Sequence, residues 1–501
     1  MKKTITVLLL MAFYFGCRGS DSLDPEPGIP LALATSRAEA IQDLRYELSF
    51  EIPGAVSEPV SGRAVIRFKL KDVSGPVVLD FAPGADFLSS VSVGGKPSRF
   101  RAVNGHIVIP EEDLTAGENA IEITFRVGDA SLNRNAEFLY TLFVPARAHL
   151  AFPCFDQPDL KARYKLELAI PSGWTSVANG AELSSEPAGE RTRIRYAETA
   201  PIPTYLFAFA AGKFELETAE RNGRTFRMFH RETDTKKVAR NRDAVFDLHA
   251  SSLAWLEDYA AIPYPFGKFE FILIPSFQFS GMEHPGAIFY NASSLLLDES
   301  ATENQMLGRA ATIAHETAHM WFGDLVTMRW FNDVWMKEVF ASFLAAKIVN
   351  PQFPKVNHEL RFLASNYPSA YAVDRTAGTH PIRQELENLN DAGSLYDEII
   401  YQKAPIVMRQ LERVLGEEAF RDGLRVYLKE FQFGNATWLD LVRVLDERTE
   451  LDLSEWSRAW VEEGGRPSIR TEIERDAQGR PERIVSSPSS RSSCRMTIGA
   501  F

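Results

Sequence analysis

The order of apolar and polar positions divides the chain into two differently patterned regions. From residue 37 to about 213, short segments alternate apolar and polar residues with the period of two that a half-buried strand requires. These segments are 46–50, 62–70, 120–127, 164–170 and 204–209, and Pro53-Gly54 and Gly94-Gly95 mark turns between them. Such runs predict a sandwich or saddle-shaped set of sheets. From Asn241 onward, apolar residues recur three and four apart. That spacing predicts helices over 241–258, 303–322, 333–349, 403–415 and 438–447, with strands at 269–274 and 287–290. Gly464-Gly465 closes the helical region, a strand is predicted at 468–474, and the residues from Ser487 onward are rich in Ser and Arg with little apolar pattern. No repeat of solenoid or propeller period is present.

The N-terminus departs from both patterns. Lys2 and Lys3 precede an apolar run from Ile5 to Gly16, too short to span a bilayer as a mature helix and suited to an export signal. Cys17 follows directly, and a stretch rich in Asp, Pro, Gly and Ser comes after it. The expectation is a bacterial envelope protein, exported and lipid-anchored to a membrane through Cys17, with 17–36 as linker or tether. An ordinary cleaved signal is the competing reading, because Tyr14 and Phe15 are bulky for a lipoprotein signal.

Composition removes some classes of function. The 501 residues are 45% hydrophobic, well outside the range of disordered chains. A formal net charge of −12 argues against a nucleic-acid partner. The cysteines beyond Cys17 are Cys154 and Cys494, too few for a disulfide framework or a cysteine zinc ribbon.

The chemistry concentrates at His315-Glu316-Thr317-Ala318-His319. On a helix, residues four apart project from one face, so both imidazoles can share one zinc ion. Glu316 lies between them and can take a proton from water that the metal acidifies. Apolar neighbours such as Ile313, Ala314, Trp321 and Phe322 predict burial, where ionisable groups need partners. Gly323 and Asp324 can stop the helix, so that a second helix runs back carrying Glu338 as a third ligand. Two His and one Glu leave a fourth position open, as catalytic zinc sites do. Asn332 and Asp333 read as caps of the second helix, and Asp333 is also a candidate for orienting a ligand His.

Residues 315–343, HETAHMWFGDLVTMRWFNDVWMKEVFASF, resemble the zinc signature of the gluzincin aminopeptidases, the family of aminopeptidase N. Residues 153–158, PCFDQP, resemble another stretch of that family, and the resemblance runs from about 40 to about 475. It implies an α+β protein: an N-terminal β saddle domain (37–213), a thermolysin-like mixed α/β zinc catalytic domain (214–464) and an incomplete C-terminal β stub (465–501), preceded by the signal (1–16) and tether (17–36). Family members usually continue through a β-sandwich and a helical domain, so a truncated chain is expected.

The resemblance also implies roles. Gly281-Met282-Glu283-His284-Pro285 is similar to the family's glycine-rich exopeptidase motif, in which the Glu binds the substrate's free α-amine, with Gly281 and Met282 beside it. His284 stands where the family usually has Asn. Tyr401 resembles the tyrosine that stabilises the tetrahedral intermediate; Tyr396 is the competing tyrosine. Lys337 and Val339 flank Glu338 where many members have Asn and Gly, and Val144 falls near the usual second amine anchor. The implied activity is zinc-dependent release of N-terminal residues from peptides with a free N-terminus, with one Zn2+ per chain. Two alternatives stay open: a zinc endopeptidase of the same fold, and a non-catalytic binding protein.

Overall fold

The computed structural model describes residues 24–489 apart from 467 and 477. The export signal, Cys17, Cys494 and the last dozen residues lie outside the described residues.

The alternating segments pair as their pattern predicts. An eight-stranded sheet runs, edge to edge, through Glu182–Ala188, Arg191–Tyr196, Arg163–Pro171, Ile41–Glu51, Ser61–Leu70, Gly117–Arg126, Leu88–Val93 and Lys96–Pro97. Ile41–Glu51 pairs parallel with Arg163–Pro171 (Tyr46 opposite Tyr164) and antiparallel with Ser61–Leu70, so one face carries Tyr46, Leu48 and Phe50 into the core. A four-stranded sheet and a three-stranded sheet complete this half. Its last strand, Phe209–Gly212, is followed at Glu215–Arg221 by the first strand of a new five-stranded sheet. There Arg224–His230, Phe269–Ile274 and Ile288–Asn291 run parallel, and Gly281–Met282 is an antiparallel edge. Phe269–Ile274 is buried along its whole length, which explains its unbroken apolar sequence.

Helices Thr235–Ala260, Glu303–His319, Trp335–Val349, Ala404–Leu415, Glu417–Phe431 and Trp438–Asp446 pack beyond that sheet. The chain is thus an N-terminal β-rich region followed by a mixed helical and β region, the α+β order expected. No helix among the described residues is long and apolar enough to cross a membrane.

Three segments differ from the sequence reading. Thr204–Leu206 is a 3-10 turn rather than strand, and the strand starts at Phe209. The side chain of Asn179 takes the backbone partners a ladder would use, accepting from Ala208 N and donating to the Leu206 carbonyl. The stretch expected as tether is packed from residue 24: Ile29 is buried, its amide donates to Asn388 Oδ1, and Leu31–Ala40 is a helix that crosses the expected boundary at 36. Asn332 and Asp333 do not cap the second helix; Asp333 closes a 3-10 turn before it, and Arg383 donates to both its carboxylate oxygens, at 2.7 and 3.2 Å.

One buried ion pair ties the N-terminal helix to the sheets. Arg37 donates to both carboxylate oxygens of Asp80, at 2.9 and 2.6 Å, and His106 Nδ1 contacts the same carboxylate at 3.0 Å. Arg37 and His106 hold Asp80 far below the usual carboxylate range despite its burial. Asp80 also accepts from Asp156 N and bridges Cys154 through backbone bonds, which fixes the 153–158 stretch. Removing only the cation leaves an uncompensated buried charge, at a cost of about 3–5 kcal/mol. Arg37→Ala should therefore lose about that much in urea unfolding, and a loss under about 1 kcal/mol would show that water reaches Asp80.

Candidate metal centre and peptide cleft

The helix Glu303–His319 begins with a reciprocal cap: Thr302 Oγ1 accepts from Gln305 N, and Gln305 Oε1 accepts from Thr302 N. It ends at His319, and Gly323, with φ +130°, turns the chain. A Cβ on residue 323 would stand 3.3 Å from Lys337 Cβ and 3.4 Å from His319 Nδ1, so glycine permits both the turn and the close approach of the two helices. Trp335–Val349 then runs beside the first helix, its Glu338 facing the histidines.

The cleft measures about 830 Å³. It is lined by Gly281, Met282, Glu283, His315, Glu316, His319, Glu338 and Tyr401, whereas Asp333, paired with Arg383, is not among its lining residues. Val144, Tyr396, Lys337 and Ser342 also line it, whereas His284 is buried edge-on to Phe289, away from the lining. Val144, which falls near the family's usual second amine anchor, lines the cleft as an apolar residue.

His315 Nε2 and His319 Nε2 lie 3.0 Å apart, and Glu338 Oε2 lies 3.5 and 3.9 Å from them. The Phe322 carbonyl can only accept, so His319 donates to it from Nδ1 at 3.1 Å and keeps a bare lone pair on Nε2. Two imidazole nitrogens and a carboxylate oxygen thus converge. A tetrahedral zinc with bonds of about 2.0–2.1 Å has ligand–ligand edges of about 3.3–3.4 Å, within the span of these three separations. The donor set fits a divalent cation of that size.

A second set, Glu283, Glu316 and His319, also converges, each offering an atom within 4.8 Å of the others. It fits less well, because Glu283 is already charge-matched: Lys337 Nζ donates to Glu283 Oε1 at 2.5 Å. Lys337 also stands 3.2 Å from Glu338 Oε1, opposite the oxygen that faces the histidines. Burial, offset by Lys337 and His319, leaves Glu283 lowered to about 2. Burial, reinforced by Glu283 and Glu338 and offset by His315, pushes Glu316 up to about 8. A cation between the ligands would draw it down again, since an opposite charge favours the carboxylate. Gly281 explains why the edge strand can sit against this carboxylate: a Cβ there would meet Glu316 Cγ and Cδ at 2.5 Å.

Both tyrosines face the cleft. Tyr401 sits on the π-helical turn Ile399–Lys403, 43% exposed, and Tyr396 is partly buried, its hydroxyl without a hydrogen-bond partner among the described residues. Sequence reasoning missed the position of Lys337 on Glu283, since 54 residues separate them, and the contact of Ser342 Oγ with His315 Nδ1 at 3.3 Å.

Residues 245–460 match the family model described as Peptidase family M1 domain, and residues 124–206 match Peptidase M1 N-terminal domain. The chain is 35% identical over 444 residues to probable aminopeptidase 1 of Sulfurisphaera tokodaii, an overlap covering 86% of this chain and 54% of that protein. It is 31% identical over 467 residues to aminopeptidase N of Streptomyces lividans, covering 89% and 53%. It is 34% identical over 344 residues to the puromycin-sensitive aminopeptidase of Caenorhabditis elegans, covering 68% and 36%. The chain thus spans about half or less of the length of these relatives.

The two converging sets make opposite predictions for metal binding. Glu338→Ala should weaken a bound divalent ion by at least about tenfold, the scale on which even outer-shell losses act, whereas Glu283→Ala should leave metal content unchanged. Metal analysis after dialysis reads the difference, and the reverse result would place the ion in the Glu283–Glu316–His319 set.

Proposed function

The chain belongs to peptidase family M1, and from that premise and the geometry of the cleft we propose that it is a zinc metallo-aminopeptidase releasing N-terminal residues from oligopeptides. The observation that carries the proposal is the convergence of His315, His319 and Glu338 in one cleft with Glu316 and Tyr401. His315, His319 and Glu338 would hold one Zn2+, which supplies Lewis acidity toward the scissile carbonyl and acidifies water. Glu316 accepts the proton of the attacking water and passes it to the leaving amine. Its seat against Gly281 keeps that carboxylate aimed into the cleft. The hydroxyl of Tyr401 donates to the carbonyl oxygen as negative charge develops. Glu283, which lines the cleft, takes the first residue's amine, and Gly281 and Met282 offer the edge strand beside it.

Substrates are peptides entering by their N-terminus, and the relatives' names as aminopeptidases support that choice over internal cleavage. Export and a lipid anchor at Cys17 belong to the same proposal and rest on the apolar run before Cys17. Mass spectrometry of an unblocked decapeptide distinguishes the readings: a ladder losing one N-terminal residue at a time is expected, and internal fragments would establish the endopeptidase alternative.

Two substitutions test the roles. Glu316→Gln should keep its metal and lose about 10²–10⁴-fold in kcat, the usual contribution of a general base; a loss under about tenfold would pass the role to another group. Tyr401→Phe should lower kcat with little change in KM, because its partner oxyanion exists only along the reaction path; a rise in KM alone would reassign it to ground-state binding.

A further inference from the structure

The two histidines of the metal centre have their rings held by unequal means. His319 is buried, and its Nδ1 donates at 3.1 Å to the Phe322 carbonyl, a fixed backbone acceptor. His315 stands at the cleft wall with 22% of its side chain exposed. Among the described residues, the hydrogen-bond partner of its Nδ1 is the hydroxyl of Ser342, at 3.3 Å. Ser342 also lines the cleft, and it follows Glu338 by four residues on the helix Trp335–Val349. That spacing puts both on one helix face, and the face reaches both edges of a single imidazole. Glu338 Oε2 lies 3.5 Å from His315 Nε2, and Ser342 Oγ faces the opposite nitrogen.

A neutral imidazole carries one N–H and one bare lone pair, and the partner of one nitrogen decides the state of the other. An ion between the ligands needs the lone pair on Nε2, where His319 Nε2 and Glu338 Oε2 converge. His315 must then carry its proton on Nδ1, and that proton needs an acceptor. The Ser342 oxygen can accept it, and the exposed hydroxyl is free to turn its own proton to solvent. Resting on the metallopeptidase reading above, we infer that Ser342 is a positioning residue: by accepting from His315 Nδ1 it turns the Nε2 lone pair toward the ion and holds the ring on the solvent-facing side of the centre. The core side is held by the Phe322 carbonyl, which permits only one tautomer of His319. The cleft side depends on a side chain, and one substitution can remove it.

The test loads the full chain with cobalt(II), whose unpaired electrons move the imidazole N–H protons of its ligands away from all other proton resonances. The parent in water should show one such exchangeable resonance from each histidine. In Ser342→Ala the Nδ1–H of His315 faces only water, so its resonance should broaden or vanish. That of His319, kept by the Phe322 carbonyl, should persist as the internal reference. Zinc affinity, read by competition with a chelator, should fall about tenfold in Ser342→Ala, the lower end of what outer-shell losses cost. Ser342→Thr keeps a hydroxyl and should stay within about threefold of the parent, well inside that loss. Both resonances unchanged in Ser342→Ala, with zinc affinity within about twofold of the parent, would overturn the inference.

Ser342 is exposed, so alanine there should leave the urea midpoint of the metal-free protein unchanged. A destabilised variant whose cobalt-loaded form still shows both resonances would mark its lost affinity as a folding effect and overturn the inference. Failure of the metallopeptidase reading shows itself differently. A parent that binds neither zinc nor cobalt overturns that reading and this one together. A metal-loaded parent that gives no N-terminal ladder overturns only the peptidase activity, and the two resonances still decide the role of Ser342.

Discussion

Four buried carboxylates converge around the cleft, and the rest of the architecture can be understood as the means of keeping them there. Glu283, Glu316, Glu338 and Asp324 are each 9% exposed or less, in surroundings where an unmatched charge costs several kcal/mol. The chain meets that cost in different ways. Glu283 and Glu338 share the ammonium of Lys337, and both stay below the ordinary glutamate range. Among the described residues neither oxygen of Asp324 has a hydrogen-bond partner, and burial drives its pKa well upward. Glu316 is left raised, the state of a carboxylate that a nearby cation would turn into a base. The histidine pair completes the set: with His319 Nδ1 committed to the Phe322 carbonyl, its Nε2 lone pair faces His315 and Glu338.

Holding such a cluster needs rigid support from both halves of the chain. The loop after the histidine helix is secured from the β half: Lys161 donates to the carbonyls of Asp324 and Leu325 at 2.9 and 3.0 Å, and Tyr205 donates to that of Gly323 at 3.4 Å. Asn179 donates to the Pro285 carbonyl, which fixes the segment just after Glu283. Behind these contacts stands the Arg37–Asp80 pair, which locks the 153–158 stretch. Asp156 of that stretch accepts from Thr204 Oγ1, one residue before Tyr205. The β domain therefore reaches the cleft through a chain of buried polar contacts and contributes to the placement of the acidic cluster.

Much of this was legible in sequence wherever one short period governed the outcome. The 3.6-residue repeat located the helices at 303 and 335, and four-residue spacing put His315 and His319 on one face. Phe269–Ile274 was found at its observed bounds because a strand buried on both faces reads as an apolar run. The failures follow from information that is not local. Helix His358–Asp374 buries only Ala370 and Asp374 and contains Pro368, so it has neither an apolar stripe nor an uninterrupted helical sequence. Leu31–Ala40 was hidden in a Pro- and Gly-rich context, and its key residue, Arg37, matters through Asp80, 43 residues away. The apolar run at 204–209 suits a strand until Asn179, distant in sequence, takes its backbone partners.

The same distinction separates the metal centre from the amine end of the cleft. The ligands and base lie within 24 residues of one another, on two helices whose periods and stop signal are written locally, so composition and spacing could assemble them. At the amine end, Glu283, just after the edge strand, meets Lys337, on the returning helix, across 54 residues. Read separately, the first is an ammonium anchor and the second only a neighbour of a ligand. Read together they form a buried ion pair that neither position shows alone. A motif thus fixes which groups are present, but the charge available to a substrate depends on what else the fold brings against them.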